Sequence, residues 1–208
     1  NPDNSLAHRT TWLRSDLEEV ENSTEKWNLN VNQNNDIYIY IEKNDNYSKT
    51  EIIESVKINN IKVNRSSQLG ETKIYKPVTD EKRMFINSEE NETIEILYNG
   101  DLESNIKEHK ISNQGGKVAF RYAINNIAQY TSDMNEEIDH SKLLQLTNVK
   151  AEDLRSTISF NMTITLKSGK IFQTTIELEM PSEDIIEEGT KGIEITDLSN
   201  IVFKRIEN

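Results

Sequence analysis

The chain has 208 residues and carries 36 acidic against 24 basic side chains, for a net charge of −12. No run of Lys or Arg segregates a basic patch, so a nucleic-acid or anionic-lipid partner is excluded as the default reading. With no cysteine, disulfides and thiolate-held metals are excluded as well.

Mean hydropathy is low, at −0.73. Yet Leu, Ile, Val and Phe make up roughly a quarter of the chain, above the ~20% at which disorder sets in. They also fall in periodic runs, so the chain is expected to fold. Ser5 to Glu21 reads as a helix: Leu6, Leu13, Leu17 and Val20 fall close to one face. Asn4 or Ser5 can cap it, and Asp16, Glu18 and Glu19 point outward. Residues 1–24 are therefore expected to form an N-terminal amphipathic helix or stalk, with a β domain over 25–208.

From Trp27 the apolar period changes to two. Trp27, Leu29 and Val31 alternate with asparagines, and Ile37, Ile39 and Ile41 resume after the Asn-rich stretch from Asn32 to Asp36. That stretch reads as a turn, pairing Val31 with Ile37 and Leu29 with Ile39 in a hairpin. Tyr38 and Tyr40 face the other way, so Ile37 to Ile41 is apolar on both faces and belongs inside a sheet. Ile52, Val56 and Ile58 then fall one step out of phase with Ile61 and Val63, as at a β-bulge near Asn59 and Asn60. Lys73 to Lys76 and Met84 to Asn87 read as irregular strands suited to sheet edges. A shorter strand follows at Ile94 to Tyr98.

A boundary near 100–112 would split the chain into two β domains of Ig-like size, the alternative to one larger sandwich. Gly115 and Gly116 precede the longest alternation, with Val118, Phe120, Tyr122, Ile124, Ala128 and Tyr130 on one face. Ser132 to Lys142 is an acidic loop or short helix.

Thr157 to Met180 is the clearest hairpin. Ile158, Phe160, Met162, Ile164 and Leu166 alternate with polar residues, and Phe172, Thr174, Ile176, Leu178 and Met180 answer them. A two-residue loop would put the two apolar rows on opposite faces. Lys167, Ser168 and Gly169 taken as a three-residue loop pair Ile164 with Phe172 and Phe160 with Ile176, which is self-consistent. Such a loop needs a left-handed residue at its last position, and Gly169 supplies it. Pro181 stops the strand, and an acidic connection leads to a last run through Ile193, Ile195, Ile201, Phe203 and Ile206. The fold expected is mainly β: an antiparallel sandwich, Ig-like or larger, with one N-terminal helix.

Side chains capable of chemistry are scattered. The three histidines, His8, His109 and His140, do not share metal-ligand spacing. Asp133, Asn135, Glu137 and Asp139 form an every-second-residue oxygen array. It lacks the sixth-position Gly and closing Glu of a calcium loop, and reads as solvated charge. Gly115-Gly116-Lys117 lacks the first Gly and the Ser or Thr of a P-loop. Trp12, Trp27, Tyr38 and Tyr40 are candidates for a sugar-binding platform, with Trp27 in phase with the core. The residues assign no catalytic, cofactor-binding or metal-binding role, and no cofactor.

Three segments together carry a resemblance: Asn35 to Lys43, Glu51 to Ile61, and the closing Val202 to Arg205. In style they resemble uncharacterised, membrane-anchored extracytoplasmic proteins of Gram-positive bacteria. The resemblance implies location and anchoring and transfers no site residue. The opening at Asn1-Pro2-Asp3, without Met, adds the expectation of an upstream export or anchoring segment. No apolar run in the chain is long enough to span a bilayer. The function expected is a non-enzymatic surface or envelope domain presenting a β scaffold to an unknown protein or glycan partner. The alternatives are an extracytoplasmic hydrolase working through carboxylates and a purely structural domain. A protein partner is expected near residues 65–90, away from the Thr157 to Met180 hairpin.

Overall fold

A computed structural model of the chain describes residues 6–40, 51–80, 83–87, 92–96 and 119–206. Eleven strands lie within these residues. In chain order they are β1 (Leu6–Glu19), β2 (Lys26–Tyr40), β3 (Ile53–Arg65), β4 (Glu71–Asp80), β5 (Arg83–Asn87), β6 (Ile94–Ile96), β7 (Phe120–Asp133), β8 (Ser156–Leu166), β9 (Ile171–Glu179), β10 (Thr190–Asp197) and β11 (Lys204–Ile206). Short helices interrupt them at α1 (Leu143–Leu146), α2 (Ala151–Leu154) and α3 (Glu183–Glu188). No described helix is long and apolar enough to cross a membrane.

The strands form two antiparallel sheets. One has the order β10-β1-β2-β7-β4-β5 and the other β11-β9-β8-β3-β6. Each draws strands from both sides of residues 100–112, which themselves lie outside the described residues. The inner rows of both sheets merge into one hydrophobic core. There Phe120 of β7 meets Phe160 of β8 edge to face, ring centroids 5.3 Å apart. That geometry sets the positive edge of one ring against the negative face of the other.

The β8–β9 hairpin forms in the expected register, with Phe160 opposite Ile176 and Ile164 opposite Phe172. The Gly169 N–H donates to Leu166 O and Leu166 N–H to Lys170 O. Gly169 sits at φ +84°, where a glycine carries no Cβ penalty. The bulge in β3 is also present. The register against β8 shifts between Asn59 and Lys62, and Asn60 takes the left-handed conformation at φ +52°. The inward row therefore moves from Val56 and Ile58 to Ile61 and Val63.

Three expectations are corrected. The N-terminal segment is a strand, β1, paired along its length with β2 and also with β10. Its inward residues are Ala7, Arg9, Thr11 and Leu13, while Leu17, which the helix would bury, is 67% exposed. A helix needs its apolar stripe packed to hold. Here two rows of backbone hydrogen bonds and the burial of Ala7 and Thr11 prevail over that stripe.

Residues 32–36 are likewise no turn. They are the middle of β2, and all five side chains are buried. The reversal comes earlier, between β1 and β2, where Ser23 N–H donates to Val20 O and Asn22 adopts φ +63°. Asparagine favours turns because its side chain competes for backbone groups. In β2, Asn35 and Asn32 spend that capacity across strands. Asn35 Nδ2 donates to Tyr122 O, and Asn35 Oδ1 accepts from Thr11 Oγ1 and Gln33 Nε2. Asn32 Nδ2 donates to Asp16 Oδ2, and Asn32 Oδ1 accepts the Asn126 N–H.

β2 lies inside its sheet, as expected, and β5 ends the same sheet. β4, expected at an edge, lies between β7 and β5. Its Ile74 side pairs with Tyr122, which makes it an interior strand.

Candidate functional site

Register places the outer row of the six-stranded sheet without ambiguity. Thr10 lies opposite Asp36, Trp12 opposite Asn34 and Arg14 opposite Asn32. On the other side of β2, Asp36 faces Arg121 and Asn34 faces Ala123. Trp12, Asn34, Asp36, Tyr38 and Arg121 therefore share the face away from the core. Arg121 Nε donates to Asp36 Oδ1 at 2.6 Å and Nη2 to Oδ2 at 3.2 Å, a two-point pair. The same guanidinium lies 5.1 Å from the centroid of the Trp12 ring, close enough for a cation–π contact. This stack covers the strand beneath it, leaving Asn34 3% and Asp36 5% exposed.

Burial pushes the Asp36 carboxyl above its ordinary pKa, against the hydrogen bond and charge of Arg121. Burial also raises Tyr38, and the neighbouring Asp36 charge adds to it. Toward the far end of β2, paired side chains form a ladder: Gln129 Nε2 to Asn30 Oδ1, Thr131 Oγ1 to Asn28 Oδ1 and Asn30 Nδ2 to Glu18 Oε2. The face is thus one aromatic–guanidinium stack followed by amides and hydroxyls bordered by Arg14, Asp16 and Glu18 of β1. It can offer a ring surface and many directional donors and acceptors.

The opposite face of β2 holds a second polar group inside the core. Asn35 joins Thr11, Gln33 and the Tyr122 carbonyl, and all four residues are fully buried. Beside it, Arg9 Nη1 donates to Thr196 Oγ1 at 2.7 Å, and Glu194 lies 3.7 Å from the same guanidinium. Burial lowers the Arg9 pKa and the Glu194 charge works against that. These groups hold β1, β2, β7 and β10 in register.

A groove of about 630 Å³ opens at the end of β7. Residues 127–131 line one part of it and residues 146–149 another, with Leu69 and Asp153 in the lining. Asp153 is its one carboxylate. Its Oδ1 accepts from Ser67 Oγ, and its Oδ2 from the Lys150 N–H.

The sequence candidates are dispersed. Trp12 and Tyr38 lie on the outer face, Trp27 is half-buried on the core face, and Tyr40 is described only in its backbone, so the four make no single platform. His8 is placed in β1 by its backbone, opposite Tyr38 and Ile195. His140 Nδ1 meets Ser15 Oγ at 3.1 Å, on the surface. His109 and residues 115–117 lie outside the described residues. Of the oxygen array, Asp133 ends β7, while Asp139 caps a single 3-10 turn by accepting from Ser141 N–H and Oγ. Those bonds lower the Asp139 pKa. Among the described residues, no three His, Asp or Glu side chains gather where one metal ion could sit.

Sequence reasoning missed Asn34, Asp36 and Arg121, because reading 32–36 as a turn removed the strand that brings them together. The available signal was the unbroken alternation from Trp27 to Ile39 once Gln33 and Asn35 are accepted as inward residues. No family model, curated protein or solved structure matches the chain.

Proposed function

We propose that this chain is a non-enzymatic β-sandwich scaffold, Ig-like or of the larger single-sandwich kind, that presents its surface to a protein or glycan partner. The observation that carries the reading is the outer face of the six-stranded sheet. There the Trp12–Arg121–Asp36 stack continues into the amide ladder of Asn28, Asn30 and Gln129. An aromatic ring flanked by planar donors and acceptors suits a hydroxyl-rich glycan or a polar protein surface. The groove supports the same reading, because its single carboxylate is already satisfied by Ser67 and Lys150, whereas carboxylate hydrolysis requires two facing groups.

The reading also holds that the domain works outside the cytoplasm, anchored to a membrane or secreted. Its resemblance to anchored extracytoplasmic proteins supports this, and its lack of cysteine is compatible with export. Within the scaffold, residues 65–90 remain the proposed docking region for a protein partner, supported by the position of β5 at the end of its sheet.

The test is binding of the whole chain to arrays of envelope polysaccharides and surface proteins, repeated with Trp12→Ala. The reading expects at least one ligand whose binding falls about tenfold in the variant, with the fold intact by circular dichroism. Ligands indifferent to Trp12→Ala, or turnover of an arrayed polysaccharide by the wild-type chain, would count against it.

A further inference from the structure

Among the described residues, half of β7 has a partner strand on one side only. The Met134 N–H donates to Glu25 O, continuing the pairing of Asp133 with Lys26. In an antiparallel strand, backbone groups project alternately to the two sides. Residues 128, 130 and 132 therefore face β2, and Gln129 and Thr131 aim their N–H and C=O groups the other way.

On that other side β4 pairs only as far as Glu71 opposite Asn125. The cause of the stop is local. Between Val31 and Gln33, β2 takes two residue steps while β7 takes four, from Ala128 to Ile124, and Asn126 bulges out at φ +53°. Gly70 packs directly on this bulge, at φ +73°, with its Cβ position only 2.7 Å from Asn125 O. The chain leading into β4 therefore turns away there. Among the described residues, no strand continues along β7 beyond it.

The groove lies along this stretch. Residues 127–131 line it, and Leu69 and Leu146 stand at its surface 37% and 52% exposed. A row of backbone groups with no partner strand among the described residues, beside an open groove, is the geometry of strand addition, in which main-chain bonds give affinity and neighbouring pockets select side chains. Charge selects the occupant. Asp153 is the one charged side chain in the lining, and Asp133, Glu136 and Glu137 follow, exposed, at the end of the strand. Lys150, bonded to Asn148 Oδ1, and Arg65, which donates to Leu69 O and Asp153 O, offset two of these four carboxylates and leave the surround acidic. A second copy of the chain would bring the same acidic set and be repelled.

We propose that the edge of β7 at Gln129 and Thr131 accepts an added strand from a partner protein, an extended segment carrying Lys or Arg. The proposal rests on the scaffold reading and specifies a protein partner for it.

The experiment uses the whole chain, labelled for NMR, with a peptide of alternating valine and threonine flanked by lysines. Two controls are a glutamate-flanked version and one with a central proline, which lacks an N–H. The lysine peptide is expected to slow amide exchange at Gln129 and Thr131 at least tenfold, and both controls to bind at least tenfold more weakly. Leu146→Lys, at an exposed position, should weaken the lysine peptide about tenfold with Tm unchanged.

The proposal is overturned if the lysine peptide leaves both amides unchanged, or if the proline control binds equally well. It is also overturned if the two amides are already as protected as that of Tyr130 in the chain alone. Sedimentation would then assign the cover to a second copy or to another stretch of the chain. Trp12-dependent ligand binding with an inert β7 edge would reject strand addition and leave the scaffold reading standing. Failure of both would reject both.

Discussion

The β8–β9 hairpin and the β1–β2 pair are both long antiparallel ladders facing the same core, yet they are written in different alphabets. In β8 every second residue from Ser156 to Leu166 is buried, and all but the first are apolar. The inward rows of β1 and β2 instead set Ala7, Arg9, Thr11 and Leu13 against Ile39, Ile37, Asn35 and Gln33. The hairpin is held by apolar area, and the β1–β2 pair partly by hydrogen bonds that only the assembled sheet can satisfy. A polar residue inside a sheet is tolerated when each donor and acceptor finds a partner. Its local sequence then advertises a turn.

Truncation should separate the two modes. Phe160→Ala removes a ring that is 1% exposed and packs on Phe120. It is expected to cost about 3–5 kcal/mol in urea unfolding, as for a buried aromatic that leaves a cavity. Asn35→Ala deletes less volume but strips partners from Thr11 Oγ1, Gln33 Nε2 and Tyr122 O. Its expected cost is roughly 2–4 kcal/mol, because buried polar groups would be left unpaired. A loss below about 1 kcal/mol would show that the Asn35 bonds do not hold the pair.

The two regions also differ at their glycines. A Cβ at Gly70 would sit 2.7 Å from Asn125 O, whereas one at Gly169 would meet nothing within 4 Å. Both have positive φ. Gly169→Ala should therefore cost only the left-handed penalty, about 1 kcal/mol. Gly70→Ala should cost about twice that or more, since backbone must also move. Equal effects would argue against close packing of Gly70 on the β7 bulge.

A pH series sharpens the contrast without removing a contact from the core. The Asp36 pKa is raised in the fold by burial. The folded state therefore holds that proton more tightly, and stability falls as pH rises from the ordinary carboxylate range through the raised value. Asp139, held low by its bonds to Ser141, has the opposite sign. Its contribution is present above the ordinary range and is lost as pH falls through its folded value. In Asp36→Asn the decline of the urea midpoint on raising pH should flatten. In Asp139→Asn it is the acid-side loss that should shrink. The smallest effect belongs to Leu17→Ala, expected to stay within about 0.5 kcal/mol of wild type because the side chain is mostly in water. A cost of about 2 kcal/mol or more would restore the buried helix stripe.

The legible parts of the sequence were those where burial and apolarity coincide. Phe160, Ile164 and Ile176 gave the hairpin register and its three-residue loop, and Ile58 and Ile61 gave the β3 bulge. The illegible parts were those where long-range pairing overrides a local signal. Leu13 and Leu17 share a helical stripe, but the partners of β1 are β2 and β10, the latter from the far end of the chain. Asn32 to Asp36 carries a turn composition, but Asn32 bonds to Asp16 and Asn126, Asn35 to Tyr122, and the Asp36 carboxylate to Arg121. The candidate site was hidden for the same reason, since Trp12 and Arg121 are neighbours only across β2.

Residue-resolved amide hydrogen exchange over residues 28–38 tests that arrangement most directly. In a continuous central strand, amides bonded to β1 or β7 exchange only through large openings of the sheet. Protection at Gln33, Asn34, Asn35 and Asp36 should therefore match that at Leu29 and Ile37 and rank among the highest in the chain. Exchange at residues 33–35 as fast as at the β8–β9 loop, with Leu29 and Ile39 still protected, would mean a hairpin turn there. That result would dissolve both the buried Asn35 group and the Trp12–Arg121–Asp36 face.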